Sequence, residues 1–261
     1  MILAREQLKQ MSKEQLSGRW NGKALQALVM FLLLCAAGGI IGGIFSISGN
    51  IHMFSIEHGF NWSVTADNAA PAGFLFTNIW SFIISAFSYL LMFGFIEGCM
   101  KTRIGEEAGT GVIFSKFSMY KRVLAFTVVY FCVSLVLQLA SWLTGHMIFI
   151  GALLSLAVTF FSVWLYMRIS MAKYILAENP YTEVMTAFLQ SYNLMRGHSF
   201  RLFVLYLSFI GWAIAGAFTL GIGYLWLFPY AMMTELNFYY DLKHAAAGAA
   251  GDNFNNTEED R

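Results

Sequence analysis

Long apolar stretches alternate with short polar blocks along this chain, and the polar blocks carry all of its lysines and arginines. The 16 cations fall in residues 5–23, 101–122 and 168–201 and in a C-terminal segment with Lys243 and Arg261. An apolar helix needs about 20 residues to cross a bilayer core, and each apolar stretch between blocks is long enough for two crossings. Each stretch is therefore predicted to leave and return to one side, which the excess of Lys and Arg identifies as the cytoplasm.

This pattern predicts an all-α, polytopic membrane bundle of six transmembrane helices arranged as three hairpins. The predicted spans are residues 25–47, 74–98, 123–144, 147–167, 202–220 and 224–240. A cytoplasmic amphipathic segment, residues 1–24, precedes this membrane domain of residues 25–241. Residues 242–261 follow as a cytoplasmic tail, and its glycines, asparagines and acidic residues predict disorder.

The last apolar run, from Leu202 to Tyr240, allows two divisions. Gly221-Ile222-Gly223 lies near its middle, where backbone freedom permits a sharp reversal. Two spans keep Lys243 on the same side as the other cations. One long, tilted helix would place it on the opposite side, against the positive-inside pattern. We therefore favour two spans.

Each predicted hairpin follows a segment in which apolar residues recur with helical spacing and cations come last. The first segment ends at Lys23, the second at Lys121 and Arg122, and the third, which Gly197 can end, precedes Arg201. These segments are predicted to be helices in the cytoplasmic membrane interface. The chain would then repeat one interfacial helix and one hairpin three times. The alternative is that they are polar linkers with incidental periodicity.

Composition supports a membrane protein. The chain is 58% hydrophobic and 12% charged, roughly half the charged fraction of an ordinary soluble domain. Its net charge of +1 argues against a nucleic-acid partner, because that binding needs a concentrated basic surface. The expected partners are membrane lipids and either a second copy of the chain or another membrane protein.

Polar residues inside the predicted spans are few, and such residues are candidate functional positions. Glu97 lies near the inner end of the second span, Glu235 in the inner half of the sixth, and Gln138 near the centre of the third. An internal salt bridge or hydrogen bond is the favoured interpretation of each, and ion or proton handling is the alternative. The candidate partners of the two glutamates are Arg103, Arg168 and Arg201.

Proline and glycine mark further positions in the spans. Pro229 is predicted to break the last span near its middle, and the freed carbonyls would be packed in protein or would line a substrate path. Small residues let helix backbones approach closely. The glycines predicted to do so are Gly38, Gly39, Gly42, Gly43 and Gly211.

The chain carries no set of residues typical of an enzyme. His52, Glu57 and His58 in the predicted outer loop lack a fourth ligand at suitable spacing, so we interpret them as solvated rather than metal-binding. No catalytic residue, metal site or cofactor is expected. The favoured function is transport or export of a lipid or amphipathic molecule, and the alternative is a noncatalytic scaffold or accessory subunit of a membrane complex.

The last third of the chain carries the most specific motifs. They are Ser191-Tyr-Asn-Leu-Met-Arg-Gly-His198, Leu207-Ser-Phe-Ile-Gly-Trp212, Thr219-Leu-Gly-Ile-Gly223 and Phe238-Tyr-Tyr-Asp-Leu242. With the N-terminal Ala4-Arg-Glu-Gln-Leu8, the chain resembles the uncharacterised family of bacterial integral membrane proteins catalogued as domain of unknown function 975. The resemblance implies the same topology and a bacterial cell membrane, chiefly in Gram-positive organisms, but supplies no activity.

Overall fold

The computed structural model describes residues 3–45, 71–145 and 150–259, with side chains for residues 3–38, 78–140 and 153–248. These parts of the chain are helical and contain no strand, which confirms the predicted all-α class. The helices are α1 (Arg5–Leu16), α2 (Trp20–Phe45), α3 (Pro71–Arg103), a 3₁₀-helix (Thr110–Met119), α4 (Tyr120–Gly145), α5 (Ile150–Ile169), α6 (Ala172–Glu178), α7 (Val184–Leu194), α8 (Ser199–Leu207), α9 (Ile210–Phe218) and α10 (Tyr224–Glu259).

Five segments of the described chain are long and apolar enough to cross a membrane. They are Trp20–Gly38, Asn78–Arg103, Thr110–Ala140, Leu153–Glu178 and Ser199–Phe218, and they correspond to the first five predicted spans. The sixth predicted span, residues 224–240, lies in α10 and is not among them. Glu235, Asn237 and several tyrosines lower its mean hydropathy. Glu235 and Asn237 are buried inside the protein.

Helix α10 differs from the prediction at both of its ends. Pro229 does not break the helix: it lies in the second turn, where it removes a single backbone hydrogen bond near the helix start. The tail predicted to be disordered from residue 242 is helical as far as Glu259. Leu242 is buried, and the alanines after His244 are the strongest helix formers. The tail therefore begins as a continuation of the packed helix.

The fifth predicted span, residues 202–220, is not one continuous helix. Helix α8 ends at Leu207 and α9 begins at Ile210. Between them the amide of Phe209 donates to the carbonyl of Tyr206, three residues back, at 2.9 Å. The hydroxyl of Ser208 donates to the carbonyl of Leu205, a local bond that competes with the helical ladder. The helix of this span is therefore interrupted at Ser208 and Phe209.

Residues 202–240 reverse direction at the predicted glycine turn. Leu220 and Gly221 have φ values of 54° and 86°, a left-handed conformation that Gly adopts freely. Beyond the turn, the hydroxyl of Tyr224 donates to the carbonyl of Ala213 at 2.9 Å. Because the start of α10 thus lies beside α9, these residues form two helices and not one long helix.

The three segments predicted to precede the hairpins lie together at one end of the bundle, which we call the basic end. Helix α1 buries Leu8 and Leu16 against the bundle, and Asn237 of α10 donates to Ser12 of α1 at 3.0 Å. The 3₁₀-helix packs on α3, and α7 packs on α5 and α6. Each of these segments thus packs one face against the helices of the bundle.

Burial differs sharply between the basic end and the rest of the described spans. The basic end holds the core, where Phe93, Tyr174 and Leu236 are fully buried. Further along the spans, large apolar side chains are exposed: Leu153 is 72% exposed and Phe218 is 84% exposed. Continuous exposed apolar surface of this kind is typical of contact with lipid. The described chain is therefore a helical membrane bundle closed at one end by packed side chains.

Candidate functional site

A buried ion pair joins α6 to α10 inside the basic end. The ammonium nitrogen of Lys173 lies 2.9 Å from one carboxylate oxygen of Glu235 and 3.0 Å from the other. The two side chains are only 9% and 5% exposed. A charged group in such surroundings must be paired, because removing it from water without a partner costs several kcal/mol. The pair therefore fixes the position of α6 against α10.

Helix α6 is an unusual place for a cation, because the protein buries almost the entire helix. Six consecutive residues, from Ala172 to Ala177, are buried, and Lys173 is the charged one among them. A turn at Ser170 and Met171 separates α5 from α6, and α6 lies in the core. The local sequence thus carries Lys173 inward on an otherwise apolar helix, and Glu235 meets it from α10.

Tyrosines lie near the carboxylate of Glu235. The hydroxyl of Tyr174 donates to the carbonyl of Met232 at 3.5 Å, and the charge of Glu235 acts on the phenols of Tyr174 and Tyr206. The ring of Tyr166 lies in the same electrostatic environment, and its centroid is 6.5 Å from that of Tyr130. Helices α4, α5, α6 and α8 thus each direct a phenol toward the region of one acidic group.

This arrangement provides a polar strip inside an apolar bundle. A carboxylate accepts hydrogen bonds, an ammonium donates them, and a phenol hydroxyl does both. One oxygen of Glu235 lies close to the ammonium of Lys173 but accepts no well-aligned hydrogen bond from the described residues. The strip therefore retains hydrogen-bonding capacity for a polar group entering the core.

Glu97, the other predicted acidic position, lies in a more open site. Its carboxylate is 3.0 Å from the ammonium of Lys116 and 3.4 Å from that of Lys101, and it accepts a hydrogen bond from Ser115 at 3.0 Å. Lys116 and Ser115 belong to the 3₁₀-helix. Glu97 therefore links α3 to the 3₁₀-helix at the edge of the basic end.

The arginines predicted as partners of the two glutamates have other contacts. The guanidinium of Arg103 stacks 3.8 Å above the ring of Tyr240. That of Arg168 lies 5.1 Å from the ring of Trp164 and 4.6 Å from that of Tyr192. Arg201 contacts Asp241 of α10 at 3.5 Å. The predicted pairings were wrong because the lysines that bind the glutamates lie on α6 and the 3₁₀-helix, whose positions depend on the tertiary fold.

Two other predicted positions lie away from the buried pair. Gln138 is exposed on α4, so it does not occupy the centre of the bundle. Pro229 lies on α10 one to two turns before Glu235, in unbroken helix. Neither residue joins Glu235 in one site.

The glycines predicted to permit helix contact gave a mixed outcome. Gly38, Gly39, Gly42 and Gly43 all belong to α2, but the contacts of the last three lie outside the part of the chain whose side chains are described. A Cβ atom added to Gly211 would meet nothing within 4 Å. Gly211 therefore makes no close contact within the described chain, and its role in helix packing stays a prediction.

Two close approaches that the sequence analysis missed lie at Gly94 and Gly98 of α3, the first to backbone and the second to side chains. A Cβ atom on Gly94 would collide with the backbone carbonyl of Ile113, and one on Gly98 would lie 3.0 Å from the ammonium of Lys23. The Gly-xxx-Gly spacing of these two residues was the available signal. Because neither residue has a side chain, the 3₁₀-helix can pack directly against α3.

No metal site is found among the side chains that the structure describes. His52, Glu57 and His58 lie outside the described residues, so the interpretation of the outer loop stays a prediction. The site supported by the geometry is therefore the polar strip centred on Lys173 and Glu235.

Comparison with known proteins identifies the family but adds no activity. Residues 1–246 match the family described as "Protein of unknown function (DUF975)". Because this match covers nearly the whole chain, the protein belongs to that family, as its motifs predicted. Comparison with curated proteins and with solved structures gave no match.

Proposed function

We propose that this membrane protein moves a lipid or another amphipathic molecule across or out of the bilayer, as part of transport or export. The observation that supports this proposal is the buried Lys173–Glu235 pair with its surrounding tyrosines. Ionisable groups at membrane depth often belong to substrate or ion pathways. No catalytic role is proposed for any residue.

The energetics of the pair favour a functional role over a purely structural one. Replacing a buried ion pair by apolar residues of similar volume is often neutral or stabilising by about 1–4 kcal/mol. A bundle that needed only stability would be served as well by apolar side chains at these two positions. The pair also provides opposite charges for a polar headgroup, while the exposed apolar spans provide a route for its chains.

We further propose that the protein lies in a bacterial cell membrane with both termini in the cytoplasm. The gathering of α1, the 3₁₀-helix and α7 at the basic end supports this orientation, since basic segments mark the cytoplasmic side. A reporter enzyme fused to the C-terminus tests it. Activity of a periplasm- or surface-specific reporter would contradict the proposed orientation.

The transport proposal is tested by reconstituting the whole chain into vesicles that contain a phospholipid with a dithionite-reducible fluorophore. Without protein, dithionite reduces only the label in the outer leaflet. With the protein, we expect the inner-leaflet label to become reducible as well. A panel of neutral and anionic headgroups would define the preferred molecule. Failure of the wild-type chain to move any label in this panel would overturn the proposal.

Variants of the ion pair then locate the activity. The double variant Lys173→Met/Glu235→Leu removes both charges. It should fold, but it should no longer move the labelled phospholipid between the leaflets. Glu97→Gln serves as the control, because it alters an ion pair at the edge of the same end. A folded double variant with wild-type movement would show that the strip is not the site.

The alternative function is a noncatalytic scaffold or accessory subunit, and an exposed surface of α9 favours it. Gly211 faces open space, and Trp212 and Ile214 beside it are 61% and 55% exposed. A small residue flanked by large apolar ones is a suitable surface for another membrane helix. Crosslinking from a cysteine at position 211, followed by purification in mild detergent, should then recover a protein partner or a second copy. Recovery of neither would contradict this alternative.

A further inference from the structure

A half-open pocket of about 260 Å³ lies at the basic end between α1, α8 and α10. Its buried apolar lining comes from all three helices: Leu8 of α1, Leu205 of α8 and Phe238 of α10, each at most 2% exposed. Two arginines, Arg5 and Arg201, also line it. This combination of apolar walls and paired cations differs from the Lys173–Glu235 strip and is used by no part of the proposed transport.

The charge of the pocket favours an anion. Arg201 donates to the carbonyl of Leu3 at 2.7 Å and lies 3.5 Å from the carboxylate of Asp241, so one negative charge is already present. Its other terminal nitrogen is buried without a hydrogen-bond partner among the described residues. Arg5 adds a second, exposed guanidinium. Two cations against one carboxylate leave the pocket with a net positive charge and a free donor.

The start of α1 adds further donors beside the same pocket. Ala4 occupies the N-cap position and has no side-chain acceptor for the first amides of α1. Gln7 does not replace it, because its side-chain oxygen accepts from the amide of Ala4 itself at 2.8 Å. Arg5, the first residue of α1, therefore lies where a helix favours an anion through its free N–H groups and its dipole.

An apolar surface continues from the pocket along α8. Phe200 lines the pocket and is 74% exposed. Phe203 and Leu207 follow at helical spacing, and they are 41% and 52% exposed. These residues belong to the segment that is apolar enough to span the membrane. A ligand with an anionic group in the pocket would thus have its apolar part directed along a lipid-facing helix.

We propose that this pocket binds the phosphate-bearing headgroup of an anionic phospholipid from the leaflet at the basic end. The guanidinium groups of Arg5 and Arg201 contact the phosphate, and an acyl chain lies along Phe200, Phe203 and Leu207. The volume fits this assignment, because about 260 Å³ is below the roughly 300–1,000 Å³ of pockets that enclose whole drug-sized ligands. The pocket therefore holds the headgroup while the chains stay in the bilayer. This binding does not depend on transport.

Native mass spectrometry of the full-length protein in a non-ionic detergent tests the proposal by counting bound lipids. Phosphatidylglycerol is titrated in parallel with phosphatidylcholine, which has the same glycerol phosphate but no net charge. We expect one phosphatidylglycerol to bind distinctly more tightly than further copies and more tightly than phosphatidylcholine. Equal binding of the two lipids would overturn the proposal.

Matched arginine variants assign the tight site to the pocket. Arg5→Gln should weaken the binding of the first phosphatidylglycerol by about fivefold, as expected for the loss of one cation near a lipid phosphate. Arg196→Gln removes another exposed cation, in the turn after α7, which does not line the pocket, and should leave the tight site unchanged. Equal weakening by both variants would show diffuse attraction to the basic end and would contradict a defined site.

Two further measurements separate shape from charge and lipid from soluble phosphate. Val204→Trp fills the pocket without changing charge, and it should abolish the tight site in protein that remains monodisperse and helical. Excess soluble sn-glycerol 3-phosphate should not displace the bound lipid, because it lacks acyl chains to lie along α8. Full displacement would assign the pocket to a free phosphate compound and overturn the membrane-lipid assignment.

Discussion

The ammonium nitrogen of Lys9 lies 3.1 Å from the carbonyl oxygen of Ser208, so α1 contacts the interruption between α8 and α9 in the fifth predicted span. The same ammonium lies 4.4 Å from the centre of the ring of Phe209. Partial burial, followed by the charges of Arg5 and Lys13, lowers the pKa of Lys9. The contact is thus kept at some electrostatic cost. An N-terminal amphipathic helix therefore supplies a donor to the interruption in a distant membrane span.

Replacing Lys9 by methionine should destabilise the protein by about 1 kcal/mol, because the carbonyl of Ser208 loses its charged donor. The free energy of unfolding, measured by titration with a denaturing detergent, checks this result. Lys13→Met is the matched control on the same helix, since its ammonium is exposed and lies 6.0 Å from the nearest ring centre, that of Tyr230. Equal effects of the two changes would contradict a specific role for the Ser208 contact.

The buried pair should respond differently to one and to two substitutions. Glu235→Leu leaves the ammonium of Lys173 buried without its carboxylate, and this should cost about 3–5 kcal/mol. Lys173→Met/Glu235→Leu removes both charges and should recover most of that loss. Thermal unfolding of the three proteins in one detergent measures the difference. A double variant as unstable as the single one would show that packing of the two side chains, rather than their charge, dominates.

The contact between α3 and the 3₁₀-helix predicts a strong effect of a single methyl group. Gly94→Ala should destabilise the protein by about 1–3 kcal/mol, because the new Cβ collides with the backbone of Ile113, which cannot rotate away as a flexible side chain could. Gly211→Ala is the natural comparison, since the same methyl group meets open space there. It should be neutral or stabilising by up to about 1 kcal/mol through helix propensity. The unfolding midpoint should therefore fall for Gly94→Ala and stay unchanged or rise for Gly211→Ala.

His198 predicts a dependence of stability on pH. Partial burial, and next the charge of Arg201, lower the pKa of His198 from its usual 6.5, while Asp241 acts in the opposite direction. Because the folded pKa lies below the unfolded pKa, the unfolded chain binds the proton first as pH falls. The contribution of neutral His198 to stability is therefore complete above pH 6.5, and it is lost as the pH decreases through the folded pKa of His198.

A pair of proteins isolates this effect from other titrating groups. Wild type and His198→Asn are unfolded at a series of pH values from about 8 to about 5. The wild-type protein should lose stability relative to the variant over the lower part of this range. Parallel pH curves for the two proteins would contradict a lowered pKa at His198.

The sequence by itself determined the class of fold and most element positions. Apolar length alone located the spans to within a few residues of α2 to α5, because a helix in lipid must satisfy its backbone internally and remain apolar over about 20 residues. Gly221 and Gly223 marked the reversal before α10 for an equally local reason, the freedom of glycine to adopt positive φ. The family motifs also lie in contiguous sequence, so they could be recognised without the fold.

Only the tertiary structure decided which polar groups meet. Glu235 was recognised as a candidate, but its partner Lys173 was not, because the contact between α6 and α10 depends on how the helices pack. Likewise, the pocket of Arg5 and Arg201 joins residues almost 200 positions apart, as the bond from Arg201 to Leu3 demonstrates. Periodicity reports the face of one helix, whereas ion pairs, pockets and the close contact of Gly94 depend on how several helices pack together.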